Sequence, residues 1–169
     1  MKSIVTFYSY GGNTRCVAEK IAAAIDADLA EIETVKPYTG SYDHVVDQGQ
    51  KEVNSGFQPK IRQINADLSK YDTIILGTPV WWYTFAPAMN SFLHSEDLSE
   101  KSVYPFATNG GWIGHTFKDF ENACKGATVH AGLNIRFNED KQLTSDDEIQ
   151  KWAKQIAKWY FQRDQSDDR

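Results

Sequence analysis

Residues 9–14 have the composition of a phosphate site: Ser9, Tyr10, Gly11, Gly12, Asn13 and Thr14. They join an apolar, β-branched run at residues 4–8 to a run at residues 17–25 in which apolar residues recur with helical spacing. A strand that turns directly into a helix leaves unpaired N–H groups at the helix start, where the helix dipole also favours an anion. The side chains of Ser9, Asn13 and Thr14 add hydrogen-bond donors. From this stretch alone, a phosphate loop and an ordinary capped turn both remain open.

An aromatic segment follows the apolar run at residues 73–77 and includes Thr78, Pro79, Val80, Trp81, Trp82 and Tyr83. Loops run over the surface, so three consecutive aromatic side chains on a loop are hard to explain by packing. An aromatic wall beside a phosphate site is what a flat, conjugated, phosphorylated ligand needs. The alternatives are a hydrophobic patch for a protein partner, or tryptophans that fold into the core.

A third loop follows the strand predicted at residues 103–107 and contains Thr108, Asn109, Gly110, Gly111 and Trp112. Glycine lets backbone amides approach a ligand closely, and Trp112 adds another flat surface. Glycine-rich turns are common, so this loop alone indicates little. The three loops together indicate one binding site, because the strands before them are expected to end at the same edge of a sheet.

The elements that must position these loops alternate between strand and helix. This alternation predicts an α/β fold, a doubly wound three-layer sandwich with a five-stranded parallel sheet. Residues 29–33 alternate as an edge strand does, and residues 42–55 predict a weak helix. Residues 129–137 predict the last strand, and Ser145 with Glu148 forms a capping box for a C-terminal helix.

Several single residues carry local expectations. Pro105 weakens the prediction of a fourth central strand, because proline cannot donate to a sheet ladder. His115 is expected to cap the helix that follows it, with contact to the edge of a bound ligand as the alternative, and Asp119 to lie on a solvated face of that helix. Cys16 and Cys124 are expected to be buried structural thiols. The sequence predicts neither a metal site nor a catalytic side chain.

Composition limits the class of protein. The chain has 169 residues, which predicts a single domain over residues 1–163 and a polar, frayed tail at residues 164–169. The net charge of -5 argues against nucleic acid as a partner, since its binders usually carry a basic face. Apolar runs are too short for a membrane span, and the first strand begins too early for a signal peptide. A cytoplasmic location is therefore expected, with the oligomeric state left open.

The three loops resemble those of the flavodoxin-like family, and within it the bacterial flavodoxins that carry a Trp-Trp second loop. Residues 9–14 resemble the phosphate loop, residues 77–82 the ring loop and residues 108–111 the third loop of that family. The resemblance extends over nearly the whole chain, and the second loop is its most specific part. It implies the strand order 2-1-3-4-5 for the predicted sheet.

This resemblance implies non-covalent binding of FMN with its phosphate on residues 9–14. The isoalloxazine ring would lie against Trp81 or Trp82. Backbone amides of residues 78–82 and 109–112 would contact the polar edge of the ring.

Three residues depart from the family pattern. Gly11 stands where a hydroxyl residue is usual, which removes one phosphate contact. Trp112 stands where a small residue is common, and its ring would close over the flavin or obstruct it. Tyr83 stands where glycine is frequent, at a turn whose positive φ favours glycine.

Two classes of function follow from the resemblance. The first is a small electron carrier that meets redox partner proteins, a reductase and an acceptor. The second is an FMN-dependent oxidoreductase that reduces quinone-type acceptors with NAD(P)H, for which the polar segment at residues 36–66 would supply a substrate pocket or a dimer contact. A flavin-binding protein that acts in sensing or regulation is a third class.

Overall fold

The computed structural model describes the backbone of residues 1–167 and the side chains of residues 1–163. Its strands are β1 (Ser3–Tyr8), β2 (Asp28–Ile32), β3 (Thr73–Trp81), β4 (Thr84–Phe85), β5 (Ser102–Asn109), β6 (Thr128–Val129), β7 (Leu133–Asn138) and β8 (Lys141–Gln142). Its helices are α1 (Asn13–Ile25), α2 (Tyr42–Ser55), α3 (Pro87–Ser95), α4 (Thr116–Ala123) and α5 (Asp146–Asp167), and a short 3-10 turn at Leu68–Lys70 precedes β3.

The central sheet is parallel and follows the order β2-β1-β3-β5. The next position, beside β5, is shared by β6 and β7, which are also parallel to it. β4 and β8 are two-residue antiparallel additions to β3 and β7. The predicted five-position order of a doubly wound α/β fold is therefore confirmed, and the three candidate loops do follow strands that end at one edge of the sheet.

Each face of the sheet packs against its own helices. On one face, Leu76 of β3 belongs to the same apolar cluster as Phe92 of α3. On the other face, Ile75 clusters with Ile21 of α1 and Ile149 of α5. The alternation of side chains along β3 thus divides consecutive residues between two cores, and both cores hold the strand ends that carry the site.

The last parallel strand is interrupted, and this interruption accommodates Pro105. β6 pairs with residues 102–103 of β5, and β7 pairs with residues 106–109. On one side Pro105 pairs with Leu76 of β3, and on the other side it faces the break between β6 and β7. On that side the missing N–H of proline costs no ladder hydrogen bond. The prediction of one continuous strand at residues 129–137 is wrong, because the chain leaves the strand between β6 and β7. In this break Gly132 approaches the ring of Phe117 so closely that an added Cβ would lie 2.5 Å from it.

The segment at residues 36–66 contains the predicted helix α2. Ser41 caps it, its hydroxyl oxygen accepting the backbone N–H of His44 at 3.2 Å. Ser145 caps α5 in the same way, accepting the N–H of Glu148 at 3.2 Å. α5 continues to Asp167, so the backbone of the predicted polar tail is helical as far as it is described. Residues 168–169 of that predicted tail lie outside the described residues.

The helices were compared with the requirements for spanning a membrane. Within residues 1–167, no helix combines the length and the apolar character needed to cross a bilayer.

Candidate cofactor-binding site

The glycine loop, residues 9–12, turns β1 into α1 through two residues in the left-handed region. Gly11 has φ 81° and Gly12 has φ 101°, values that glycine adopts without a steric penalty. Gly12 is the N-cap residue of α1 and, as a glycine, contributes no capping side chain. An added Cβ at either position would meet no atom of the described residues within 4 Å, so the space over this helix start is open.

The side chains around the glycine loop are mostly engaged within the protein. The hydroxyl of Ser9 accepts the N–H of Arg15 at 3.2 Å, and the amide of Asn13 donates to the carbonyl of Glu139 at 2.9 Å. The hydroxyl of Thr14 is buried, 2.8 Å from the hydroxyl of Thr108. In residues 1–167, the backbone N–H groups of Asn13 and Thr14 have no acceptor. The loop is thus a cradle of backbone donors, a form that suits an oxyanion.

The buried pair of Thr14 and Thr108 brings two of the three predicted loops together. Thr14 opens α1, and Thr108 is the penultimate residue of β5. Their hydrogen bond fixes the glycine loop against the start of the third loop. The structure therefore joins these two candidate segments directly.

The second candidate segment is a hairpin and not the surface loop that was predicted. β3 extends to Trp81 and pairs with β4 through Val80 opposite Phe85 and Trp81 opposite Thr84. β-branched and aromatic residues favour such strands. The two-residue turn consists of Trp82 and Tyr83 at φ 49° and φ 69°, the signs that a type I′ hairpin requires.

Two aromatic residues in the left-handed region need support from their surroundings. The carbonyl of Tyr83 accepts the backbone N–H of His115 at 2.8 Å. An added Cβ at Gly114 would lie 2.3 Å from that same carbonyl oxygen, so only glycine allows the approach. The third loop, which the structure extends through Gly114 and His115 to the start of α4, thus holds the aromatic turn in place.

Trp81 and Trp82 have different environments. The ring of Trp81 lies 4.9 Å from the ring of Tyr38 and 5.8 Å from that of Tyr10, both in edge-to-face geometry. An added Cβ at Gly49 of α2 would lie 3.1 Å from the ring of Trp81. Trp81 therefore packs inward beneath α2, which is the alternative of a tryptophan that folds into the core.

Trp82 lies between two open cavities. Its indole N–H donates to the carbonyl of Val46 on α2 at 3.1 Å. The loop cavity, of about 230 Å³, is lined by Val80, Trp82, Tyr83, Asn109, Gly110 and Trp112. The α2 cavity, of about 340 Å³, is lined by Tyr10, Tyr42, Val45, Val46, Gly49, Val80, Trp81 and Trp82. Because Val80 and Trp82 line both, they form the partition between the two cavities.

The third loop is shaped by Asn109. Its side-chain oxygen accepts the N–H of Gly111 at 2.9 Å, and its amide donates to the side chain of Asn134 at 2.6 Å. Gly111 has φ 136°. Trp112 is 76 % exposed, so it stands at the rim of the loop cavity rather than across it.

His115 and Asp119 form a pair that the sequence analysis did not find. His115 is the N-cap residue of α4, as predicted, but its side chain makes no capping hydrogen bond. Its Nδ1 is instead hydrogen-bonded to the carboxylate of Asp119 one turn along the helix. The hydroxyl of Thr84 in β4 donates to the same carboxylate oxygen. Asp119 is therefore not simply a solvated helix residue. The available signal was the spacing of four residues, which places side chains together on a helix.

The tyrosines beneath Trp81 stay protonated over the physiological range. Burial raises the pKa of Tyr8 well above its usual value. Burial also raises the pKa of Tyr38, and its hydrogen bond to Glu52, at 2.6 Å, adds to the shift. Both hydroxyls are thus hydrogen-bond donors without charge on this side of the site.

The two cysteines differ in environment. Cys124 is buried, and burial raises the pKa of its thiol to about 11. Cys16 is exposed on α1, so the prediction of a buried thiol is wrong at that position. Among the side chains of residues 1–163, no group of three or more histidine, cysteine, aspartate and glutamate residues could hold a metal ion.

Comparison with known proteins identifies the family of the chain. A family model described as flavodoxin matches residues 2–156. The chain belongs to the flavodoxin family. A comparison with curated protein sequences finds no match.

Solved structures of flavoproteins resemble the chain over nearly its full length. One from Bacteroides eggerthii has 28% sequence identity and a TM-score of 0.79, and the match covers 92% of this chain and 98% of the other. One from Bacteroides uniformis has 27% identity and a TM-score of 0.79, with coverage of 90% and 97%. A flavoprotein from Lactobacillus acidophilus, solved in complex with FMN, has 25% identity and a TM-score of 0.73, with coverage of 90% and 98%.

Proposed function

We propose that this flavodoxin-family chain binds FMN and carries electrons between redox partner proteins. FMN is the cofactor expected from the family and from the Lactobacillus acidophilus relative that was solved with it. The observation that carries the proposal is the open backbone cradle at the start of α1, joined through Thr14 and Thr108 to the loop cavity. When bound, FMN supplies the electron-transfer chemistry, and the protein tunes it.

The residues present fit a phosphorylated, flat ligand. The N–H groups of Asn13 and Thr14 would bind the phosphate, with the open space over Gly11 and Gly12 admitting its oxygens. The loop cavity would hold the ring, since an aromatic wall and backbone amides line it. Trp82 is the tryptophan of that cavity, so we assign the ring to Trp82 rather than to Trp81.

The departures from the family pattern acquire specific roles. Gly11 leaves the phosphate to backbone donors. Tyr83 occupies a left-handed turn position through its hydrogen bond from His115, so the peptide after Tyr83 is held by the third loop. Trp112 at the rim would limit access of water to the ring and would meet an incoming partner.

A second candidate function is that of an FMN-dependent oxidoreductase that reduces quinone-type acceptors with NAD(P)H. The α2 cavity favours it, because an aromatic and aliphatic pocket lies behind the wall of the loop cavity. Residues of the 36–66 segment supply one side of that pocket. A simple carrier has no need of a second cavity of this kind.

The first test is a titration of the apoprotein with FMN in which tryptophan fluorescence is measured at each step. Quenching with one equivalent supports the proposal, and unchanged fluorescence contradicts it. In the variant Gly12→Ala we expect weaker binding by about tenfold or more, because a distorted helix start weakens hydrogen bonds to a charged group that contribute about 1.5–3 kcal/mol each. Gly56→Ala is the matched control, since Gly56 has φ 66° and open space around it but ends α2.

The second test separates the carrier from the enzyme. The FMN-loaded protein is mixed with NAD(P)H and a quinone, with and without an added flavodoxin reductase. Turnover only in the presence of the reductase supports the carrier. Turnover without it would replace the carrier by the oxidoreductase.

A further inference from the structure

The pair of His115 and Asp119 contacts the turn that lines the loop cavity, although neither residue lines the cavity itself. His115 donates its backbone N–H to Tyr83 at 2.8 Å, and Gly114 is in contact with that same residue. Thr84, which follows Tyr83, donates its hydroxyl to Asp119. The imidazole and the carboxylate are thus attached on two sides to the turn that lines the cavity.

The hydrogen bonds fix the protonation pattern of the imidazole. A carboxylate only accepts, so Nδ1 of His115 carries the proton that it donates to Asp119. The side chain of His115 is 62% exposed, whereas that of Asp119 is 28% exposed and also accepts from Thr84. Nε2 is then the ring atom that can exchange a proton with a ligand. A histidine oriented by a carboxylate in this way is the arrangement of a general acid or base.

We propose that His115 is the proton donor of the site and that the acceptor reduced there is a quinone-type carbonyl compound, with Asp119 as the positioning residue. This inference rests on FMN binding and deepens the second candidate function. An electron carrier that meets only protein partners needs no proton donor attached to the turn that lines its site.

The proposed step balances as follows. Reduction of a quinone to a hydroquinone takes two electrons and two protons. Reduced FMN, when bound, would supply the two electrons and one of the protons and would itself be oxidised, so one proton is left for the protein to supply. The imidazolium of His115 gives that proton: its Nε2–H bond breaks and an O–H bond forms on the quinone oxygen. The neutral imidazole then regains a proton from water.

The test compares two acceptors that differ in their need for protons. The FMN-loaded protein is reduced by light without oxygen and mixed by stopped flow with either 1,4-benzoquinone or ferricyanide, which takes electrons only. In His115→Gln we expect the benzoquinone reaction to slow by about tenfold or more, and the ferricyanide reaction to stay within about twofold. If the substitution slows the reactions with both acceptors, or slows neither reaction, the inference is overturned.

A matched control and a chemical rescue exclude a structural effect. His94→Gln changes a histidine in the last turn of α3, whose Nδ1 lies 2.8 Å from the carbonyl of Asn90, and should leave both reactions unchanged. In His115→Ala, added free imidazole should restore the benzoquinone reaction and leave the ferricyanide reaction as it was. Failure of this rescue would contradict proton donation by His115.

The role of Asp119 has a readout that needs no cofactor. In the apoprotein, ¹⁵N NMR of the imidazole should show neutral His115 with its proton on Nδ1, and Asp119→Asn should abolish this preference. A mixed tautomer in the wild-type protein would refute the positioning role. If the wild-type protein fails to bind FMN, the proposed function fails together with the inference, whereas FMN binding with equal rates in His115→Gln overturns the inference alone.

Discussion

The contact between the third loop and the aromatic turn can be tested at Gly114. This residue has φ 57°, and an added Cβ would lie 2.3 Å from the carbonyl oxygen of Tyr83 and 2.5 Å from its Cα. In Gly114→Ala the two segments must therefore separate by about 1 Å to reach the ordinary contacts of packed carbon atoms. That separation breaks the 2.8 Å hydrogen bond from His115 to Tyr83.

The expected cost has two parts. A left-handed conformation costs an alanine about 1–2 kcal/mol, and the lost hydrogen bond contributes about 0.5–1.5 kcal/mol. The free energy of unfolding should thus fall by about 1.5–3.5 kcal/mol. FMN affinity should fall as well, because the turn that lines the loop cavity loses its support.

Urea unfolding measures the first effect, and FMN titration the second. Gly56→Ala is the control for stability, since Gly56 has φ 66° and no described atom within 4 Å of an added Cβ. Gly56→Ala has the same conformational cost without a clash, and it should leave FMN affinity unchanged. Equal loss of stability in Gly114→Ala and Gly56→Ala would refute the reasoning that the third loop supports the turn.

Three further predictions concern other parts of the molecule. In Thr14→Val the hydroxyl partner on β5 loses its buried hydrogen bond, so urea unfolding should show a loss of about 1–3 kcal/mol; an unchanged midpoint would contradict the pairing. The hydrogen bond from Lys20 holds the pKa of Asp146 below its usual range, so ionised Asp146 stabilises the fold above the unfolded-state carboxyl pKa, and this stabilisation is lost as pH falls through the lowered pKa. Asp146→Asn should therefore lower the thermal midpoint at pH 7 but not at low pH, and an equal effect at both would refute this linkage. A thiol reagent at pH 8 should modify Cys16 in the folded protein and Cys124 only after unfolding, since burial raises the pKa of the Cys124 thiol to about 11; rapid modification of both would contradict this.

Features that depend on local sequence could be predicted. The turn from β1 to α1 follows from two glycines between an apolar run and a helical pattern, and helix α2 follows from its cap and its spacing. The parallel sheet follows from the alternation of elements, because parallel strands need crossover helices, and its strand order follows from the resemblance.

Features that depend on contacts distant in the sequence could not be predicted. Trp81 turns inward because α2 covers it, and neither its residue type nor its neighbours in the chain indicate that. Trp82 and Tyr83 adopt left-handed conformations that their residue types disfavour, and the support comes from His115 in another loop. Pro105 fits its strand because a strand from elsewhere in the chain breaks beside it.

The hydrogen bond from Trp82 to Val46 has a consequence for how this protein can change its specificity. The indole that divides the two cavities is held by a helix of the 36–66 segment, although it stands on the hairpin between β3 and β4. A substitution in that helix, or a movement of the helix, would move the indole of Trp82 and enlarge one cavity while it reduces the other. The segments that bind the phosphate would stay as they are. The size of the loop cavity can thus vary without any change in the phosphate-binding segments, through a part of the chain that lies outside all three loops.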